Sequence, residues 1–175
     1  AGPQSPIEAL MISDILLYLA VGVAGGIVNT AAGGAKLFVF PLLLATGLSP
    51  LAANATGTVA LWPATLVPAW HYRRELAADA RRLVFILVPA LVGALCGALV
   101  LVNSPEKAFL AATPFLLVVA VTAILLGKRL ATVMKRLLPQ RSITLIAAGL
   151  MLAVGFYGGY FGAGMGFMLL AVLAA

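Results

Sequence analysis

The residues of this chain that could do chemistry gather in two glycine-rich stretches. In the first, Gly25, Gly26, Asn29, Thr30, Gly33, Gly34 and Lys36 fall within twelve positions of otherwise apolar sequence. In the second, Tyr157, Gly158, Gly159, Tyr160, Gly162, Gly164 and Gly166 fall within ten. Glycines can unwind a helix and bare its N–H groups, and the N-terminal end of a broken helix carries partial positive charge, so both devices attract an anion. Lys36 would add a full charge, Asn29 and Thr30 hydrogen-bond donors, and Tyr157 and Tyr160 hydroxyls. A third set, Asn54, Thr56 and Thr58, opens a later apolar segment and would face the first break. The chemistry expected of these groups is reversible binding of a small anion. Catalysis is not expected, because no Ser–His, paired-Asp or metal-ligand set sits in the apolar segments.

Each group also has a plainer role. Glycines permit close helix packing. Asn29 and Thr30 can satisfy backbone groups freed at a break, Lys36 can snorkel to an interface, and Asn54, Thr56 and Thr58 can cap a helix. Trp62 reads as packing, and Trp70 and Tyr72 as interface aromatics.

What sets the glycines apart is repetition. Leu19-Ala20-Val21-Gly22-Val23-Ala24-Gly25-Gly26 returns 133 positions later as Leu152-Ala153-Val154-Gly155-Phe156-Tyr157-Gly158-Gly159, identical at six of eight positions. Close packing alone does not call for two breaks at matching places. Paired interruptions in two halves are the sequence mark of a transporter binding site.

Composition fixes the setting. The chain has 175 residues, 63% hydrophobic and 9% charged, and a mean hydropathy of +1.15. Soluble domains carry about a quarter charged residues. This chain is an integral membrane protein. Of its eleven Lys and Arg, nine lie in 71–82 and 128–141, the distribution of cytoplasmic loops and not of a nucleic-acid surface. Cys96 and His71 are each the only residue of their type, which leaves no disulfide or metal framework. No cofactor is expected. The expected partners are a small anion and the lipid bilayer, with a homodimer as a candidate assembly and no nucleic acid.

The order of apolar segments predicts an all-α, polytopic fold. A first transmembrane repeat covers 10–127. It holds spans at 10–32, 51–70, 83–102 and 108–127, and a re-entrant or half-helix segment at 36–48 that is too short to cross. Residues 128–141 form a basic linker in which Leu130, Val133, Met134, Leu137 and Leu138 make one helical stripe, as for an amphipathic helix on anionic lipid. Residues 142–175 begin a second repeat. Because the sequence stops at Ala175 inside an apolar run, most of that repeat is expected to be missing from it. Ala1 to Pro6 are set aside as foreign to the fold, and no cleavable signal peptide is visible. Placing both basic segments in the cytoplasm makes the spans at 83–102 and 143–160 run outward. With an external N-terminus the two glycine-bearing spans run in opposite directions, so the repeats are inverted. Each repeat is expected to carry a glycine-broken helix.

The glycine-rich stretches resemble the TauE/SafE sulfite exporter family, also called the toluene sulfonate uptake permease family. The first half is similar at Ala24-Gly25-Gly26-Ile27-Val28-Asn29, Gly33-Gly34, Phe40-Pro41, Gly47-Leu48-Ser49-Pro50, Ala52 to Thr58 and the basic loop near Tyr72-Arg73-Arg74. The second half is similar from Gly155 to Gly166. The likeness spans roughly residues 10–175. Where the family often has a run of glycines after the first motif, this chain has Ala31-Ala32-Gly33-Gly34-Ala35 followed by Lys36. The resemblance implies a multi-pass inner-membrane transporter or exporter of small anions, often sulfur-containing ones such as sulfite or an organosulfonate. The competing class is a membrane structural or assembly protein with glycines as packing grooves, which predicts continuous helices and no cavity.

Overall fold

The structure is a computed structural model and describes residues 6–78, 80–137 and 140–173. Among these the fold is all-helical: α1 (Pro6–Ala32), α2 (Lys36–Ala45), α3 (Pro50–His71), α4 (Arg73–Ala78), α5 (Ala80–Asn103), α6 (Glu106–Leu137), α7 (Gln140–Tyr160) and α8 (Met165–Leu173). The stretches Leu83–Asn103 and Glu106–Ala123 are each long and apolar enough to cross a bilayer. Ile15–Ala31, Lys36–Ala45 and Ile146–Tyr160 are shorter apolar helical stretches.

The breaks fall where backbone chemistry puts them. Gly33 (φ 67°) lies in the left-handed region between α1 and α2, and Gly162 (79°) and Gly164 (73°) lie there between α7 and α8. Side chains with a Cβ avoid that region, so a glycine ends a helix at low cost. The Gly33 N–H donates to the Asn29 carbonyl at 2.8 Å, and the Gly162 N–H to that of Tyr157 at 3.0 Å, which closes the last turns of α1 and α7. Ser49 caps α3 by accepting from the Ala52 N–H, with Pro50 in the first turn.

The basic segment is not a separate element. α6 passes without interruption from the apolar span through Lys128, Arg129, Lys135 and Arg136 to Leu137. Nothing in that run breaks a helix, whereas Pro139 follows it. Of the stripe expected along 128–141, Leu138 lies outside the described residues, as do the side chains of Leu130, Met134 and Leu137. The loop expected at 71–82 contains one short helix, α4. Arg73 stacks on Trp70 with its guanidinium carbon 4.0 Å from the ring centroid.

Two kinds of packing hold the fold. Around the breaks, the fully buried Phe40 (α2), Phe109 (α6) and Phe161 meet edge-on or tilted, with centroids 5.2 to 6.3 Å apart. Such pairs add about 0.5–1.5 kcal/mol each beyond the area they bury. Elsewhere α5 and α7 lie parallel, backbone against backbone. A Cβ on Gly93 or Gly97 would come 2.0 or 2.1 Å from the carbonyl oxygens of Leu152 or Phe156, and one on Gly155 or Gly159 equally close to those of Ala90 or Ala94. Small residues four apart on both helices permit that approach, the usual device for helix association in lipid. Gly159 is therefore used in packing, and its expected place in a binding site is corrected.

A cavity where two broken helices meet

The two breaks touch. The Gly166 N–H donates to the Gly33 carbonyl at 3.2 Å. A Cβ on Gly33 would lie 2.8 Å from the Gly166 Cα, and one on Gly34 2.4 Å from the Phe167 ring. Beside this contact lies a cavity of about 380 Å³, lined by both breaks and one face of α3.

The lining follows the repeat. Asn29 and Gly162, Gly33 and Gly166, Lys36 and Leu169 are pairs of positions 133 apart, and all six line this one cavity. The chemistry is nevertheless one-sided. Asn29 and Lys36 come from the first stretch, and their counterparts are a glycine and a leucine.

Lys36, the first residue of α2, is 6% exposed. An ammonium at a helix N-terminus opposes the dipole of its own helix. Its side chain instead reaches the opposite kind of helix end, donating to the Phe161 carbonyl at 2.5 Å, just past α7. It also donates to the Thr58 hydroxyl at 2.5 Å. An ammonium has three donors, so one N–H beyond these two contacts can serve the cavity. Thr58 passes its own proton to the Asn54 carbonyl at 2.8 Å.

The remaining candidates divide. Asn29 lines the cavity and donates to the Leu61 carbonyl at 3.3 Å. Thr30 points elsewhere: its single hydroxyl proton is within reach of the Gly26 carbonyl at 2.9 Å and the Ala64 carbonyl at 3.2 Å. Pro68 has no N–H for the Ala64 carbonyl, so Thr30 supplies the missing donor. Asn54 is 2% exposed and donates to the Tyr160 carbonyl at 3.3 Å. Asn54 and Lys36 thus act together as caps for the end of α7, and the side-chain Oδ1 of Asn54 has no hydrogen-bond partner among the described residues.

Neither tyrosine joins the lining. The Tyr157 hydroxyl faces the carbonyls of Ala163 at 2.7 Å and Leu116 at 3.2 Å. The Tyr160 ring stacks on Phe156 with an interplanar angle of 3°. The Tyr157 hydroxyl is thus engaged by backbone carbonyls, and neither tyrosine is among the residues lining the cavity. Thr56 is exposed and Gly26 on α1 half-buried, both outside the cavity lining, while Gly25 packs on Val39 and Leu61. Gly34 and Gly164 are buried within the breaks without lining the cavity.

The sequence argument missed Gly57, Leu61, Thr65, Pro68, Met165 and Leu169, and took Trp62 for packing although it also lines the cavity. One signal was available. Thr58, Leu61, Thr65 and Pro68 follow each other at intervals of three and four, which is one face of a helix.

The family model described as Sulfite exporter TauE/SafE matches residues 18–175 of the chain. A protein of Haemophilus influenzae named "Probable membrane transporter protein" is 29% identical over 156 residues, which cover 87% of this chain and 60% of that protein. The chain thus spans about 60% of the length of the curated relative it matches. No solved structure matches it.

Proposed function

The chain belongs to the sulfite exporter TauE/SafE family, and from that premise we propose that it forms the substrate-binding part of a membrane transporter for small anions. The favoured cargo is a sulfur oxyanion, sulfite or an organosulfonate, carried by alternating access across the inner membrane. The carrying observation is that Lys36, the one charged side chain lining the cavity among the described residues, sits where both glycine breaks meet.

The geometry supports anion binding in three ways. The first residues of α2 (Lys36) and of α8 (Met165, Gly166) line the cavity, so two helix N-termini converge on it. The carbonyls at and just past the end of α7, which would repel an anion, are covered: that of Phe161 by Lys36 and that of Tyr160 by Asn54. Asn29, Thr58 and Thr65 add polar atoms to an otherwise apolar wall that includes Trp62, Leu61 and Met165. An anion entering a low-dielectric site beside an ammonium exchanges hydration for strong, fixed donors.

Inverted repeats are part of the same proposal. Two segments related by a two-fold axis touch at equivalent positions where the axis passes between them, and Gly33 and Gly166 are such a pair. Rocking of one half against the other about that contact would expose the cavity to alternate sides. The competing class, a structural protein with glycine grooves, is favoured by the α5–α7 packing, but that packing uses Gly93, Gly97, Gly155 and Gly159 and leaves the breaks unexplained.

The test is anion-dependent thermal stabilisation of the purified full-length protein, wild type beside Lys36→Ala. Sulfite, thiosulfate, sulfoacetate, taurine and chloride are titrated in turn. Selective stabilisation by a sulfur oxyanion, lost in Lys36→Ala, is the expected result. Absence of selectivity for any of these anions would count against the proposal.

A further inference from the structure

The repeat also bears on a part of α1 outside the cavity lining. Gly155 and Gly159 in α7 carry the backbone of α5 against them, with Ala90 and Ala94 carbonyls in the place of any Cβ. Their counterparts 133 positions earlier are Gly22 and Gly26 in α1. Among the described residues, no atom beyond the adjoining backbone of α1 lies within 4 Å of a Cβ built on either. Around them Leu19, Val23 and Ile27 are 58 to 66% exposed. Two copies of one sequence therefore present the same glycine face, in one case filled by a helix and in the other open.

We propose that the Gly22–Gly26 face of α1 is the seat of a transmembrane helix of the α5 kind. It would be contributed by the polypeptide that follows α8 in the full-length protein. Small residues on α1 by themselves would say nothing about an occupant. The occupied copy on α7 does, because it shows what the same six-of-eight sequence receives in this molecule. It specifies the partner's chemistry: an apolar helix, parallel to α1, with glycine or alanine four apart as in Gly93-Ala94-Leu95-Cys96-Gly97. The Gly33–Gly166 contact specifies its place, because a two-fold axis there carries α7 onto α1 and α5 onto the new helix. The length of the Haemophilus influenzae relative, of which this chain covers 60%, leaves room for such a segment. The two halves would then be cross-braced, each lending a helix to the glycine face of the other. This inference rests on the inverted-repeat part of the Proposed function but makes no use of a substrate, so a failed anion titration would leave it standing and a failed cross-link would leave the anion site standing.

Cysteine cross-linking tests it in the full-length protein with Cys96→Ala. Val23→Cys, on the exposed face and minimally disruptive, is combined with single cysteines along the apolar helix that holds, relative to Gly166, the position α5 holds relative to Gly33. Phe156→Cys scanned against α5 is the positive control. Oxidation with copper phenanthroline should give intramolecular disulfides recurring every three to four positions. Disulfides between two copies would overturn the proposal, because the occupant would be a second protein. So would no cross-link from Val23→Cys when the control succeeds. As a second measurement, Gly22→Leu and Gly26→Leu should lower the thermal stability of the full-length protein as Gly155→Leu does. Unchanged stability would also overturn it.

Discussion

Lys36 carries more of this site than any other side chain. It is buried, it joins α2 to the far end of α7, and it lines the cavity. With ligand at about a hundred times its Kd, binding stabilises the folded state by about 2.7 kcal/mol; in Lys36→Ala that increment should fall close to zero in a thermal-shift titration. Thr58→Val is the milder probe. It removes the hydroxyl acceptor of Lys36, should cost about 1 kcal/mol of stability, and should preserve the ranking of anions. Residue types alone pointed to Asn29, Gly33, Lys36, Thr58, Gly162 and Gly166, all of which line the cavity. They misled at Tyr157 and Tyr160. A phenol can serve a ligand or a neighbouring carbonyl with equal chemistry, and the Leu116 and Ala163 carbonyls are brought to Tyr157 by α6 and by the second break. Nothing local to the tyrosine announces them.

At the scale of elements, glycines divide into three roles that composition cannot separate. Gly33 and Gly162 end helices in the left-handed region. Gly155 and Gly159 remain helical and admit a neighbouring backbone. Gly149 meets open space. Gly33→Ala should lose about 1–2 kcal/mol to backbone strain alone, and more because its Cβ would lie 2.8 Å from the Gly166 Cα. Gly155→Leu should be severely destabilising, because the obstacle is the Ala90 carbonyl and not a movable side chain. Gly149→Leu should be neutral or gain up to about 1 kcal/mol of helix propensity. Denaturation of the three variants in one detergent checks all of these. The helices themselves were legible: the starts of α2 at Lys36 and α3 at Pro50 follow from Gly33-Gly34 and Ser49-Pro50. The α5–α7 contact was not legible, because its partners lie in separate segments and small residues look alike at a packing face and at a break. The continuity of α6 beyond the apolar span was hidden for a different reason. A change from apolar to basic residues marks a change of solvent, and a helix can cross it unbroken.

For the whole molecule, the proposed function takes the repeat as its scaffold and the departures from it as its site. Gly33 and Gly166, 133 positions apart, are in contact, while Lys36 and Asn29 line the cavity together with Leu169 and Gly162, their counterparts in the sequence. In the proposed mechanism a symmetric frame would support motion between two matched states, and the asymmetric pair of polar side chains would make one anion-binding centre and not two. The central claim, that Lys36 at the junction of the breaks receives the transported anion, is tested most directly by flux. The full-length protein and its Lys36→Ala variant, matched for folding by thermal unfolding, are reconstituted into liposomes and uptake of radiolabelled sulfite is followed. Saturable uptake by wild type, competed by other sulfur oxyanions but not by chloride and abolished in Lys36→Ala, is the predicted result. Uptake that persists unchanged in Lys36→Ala would contradict it.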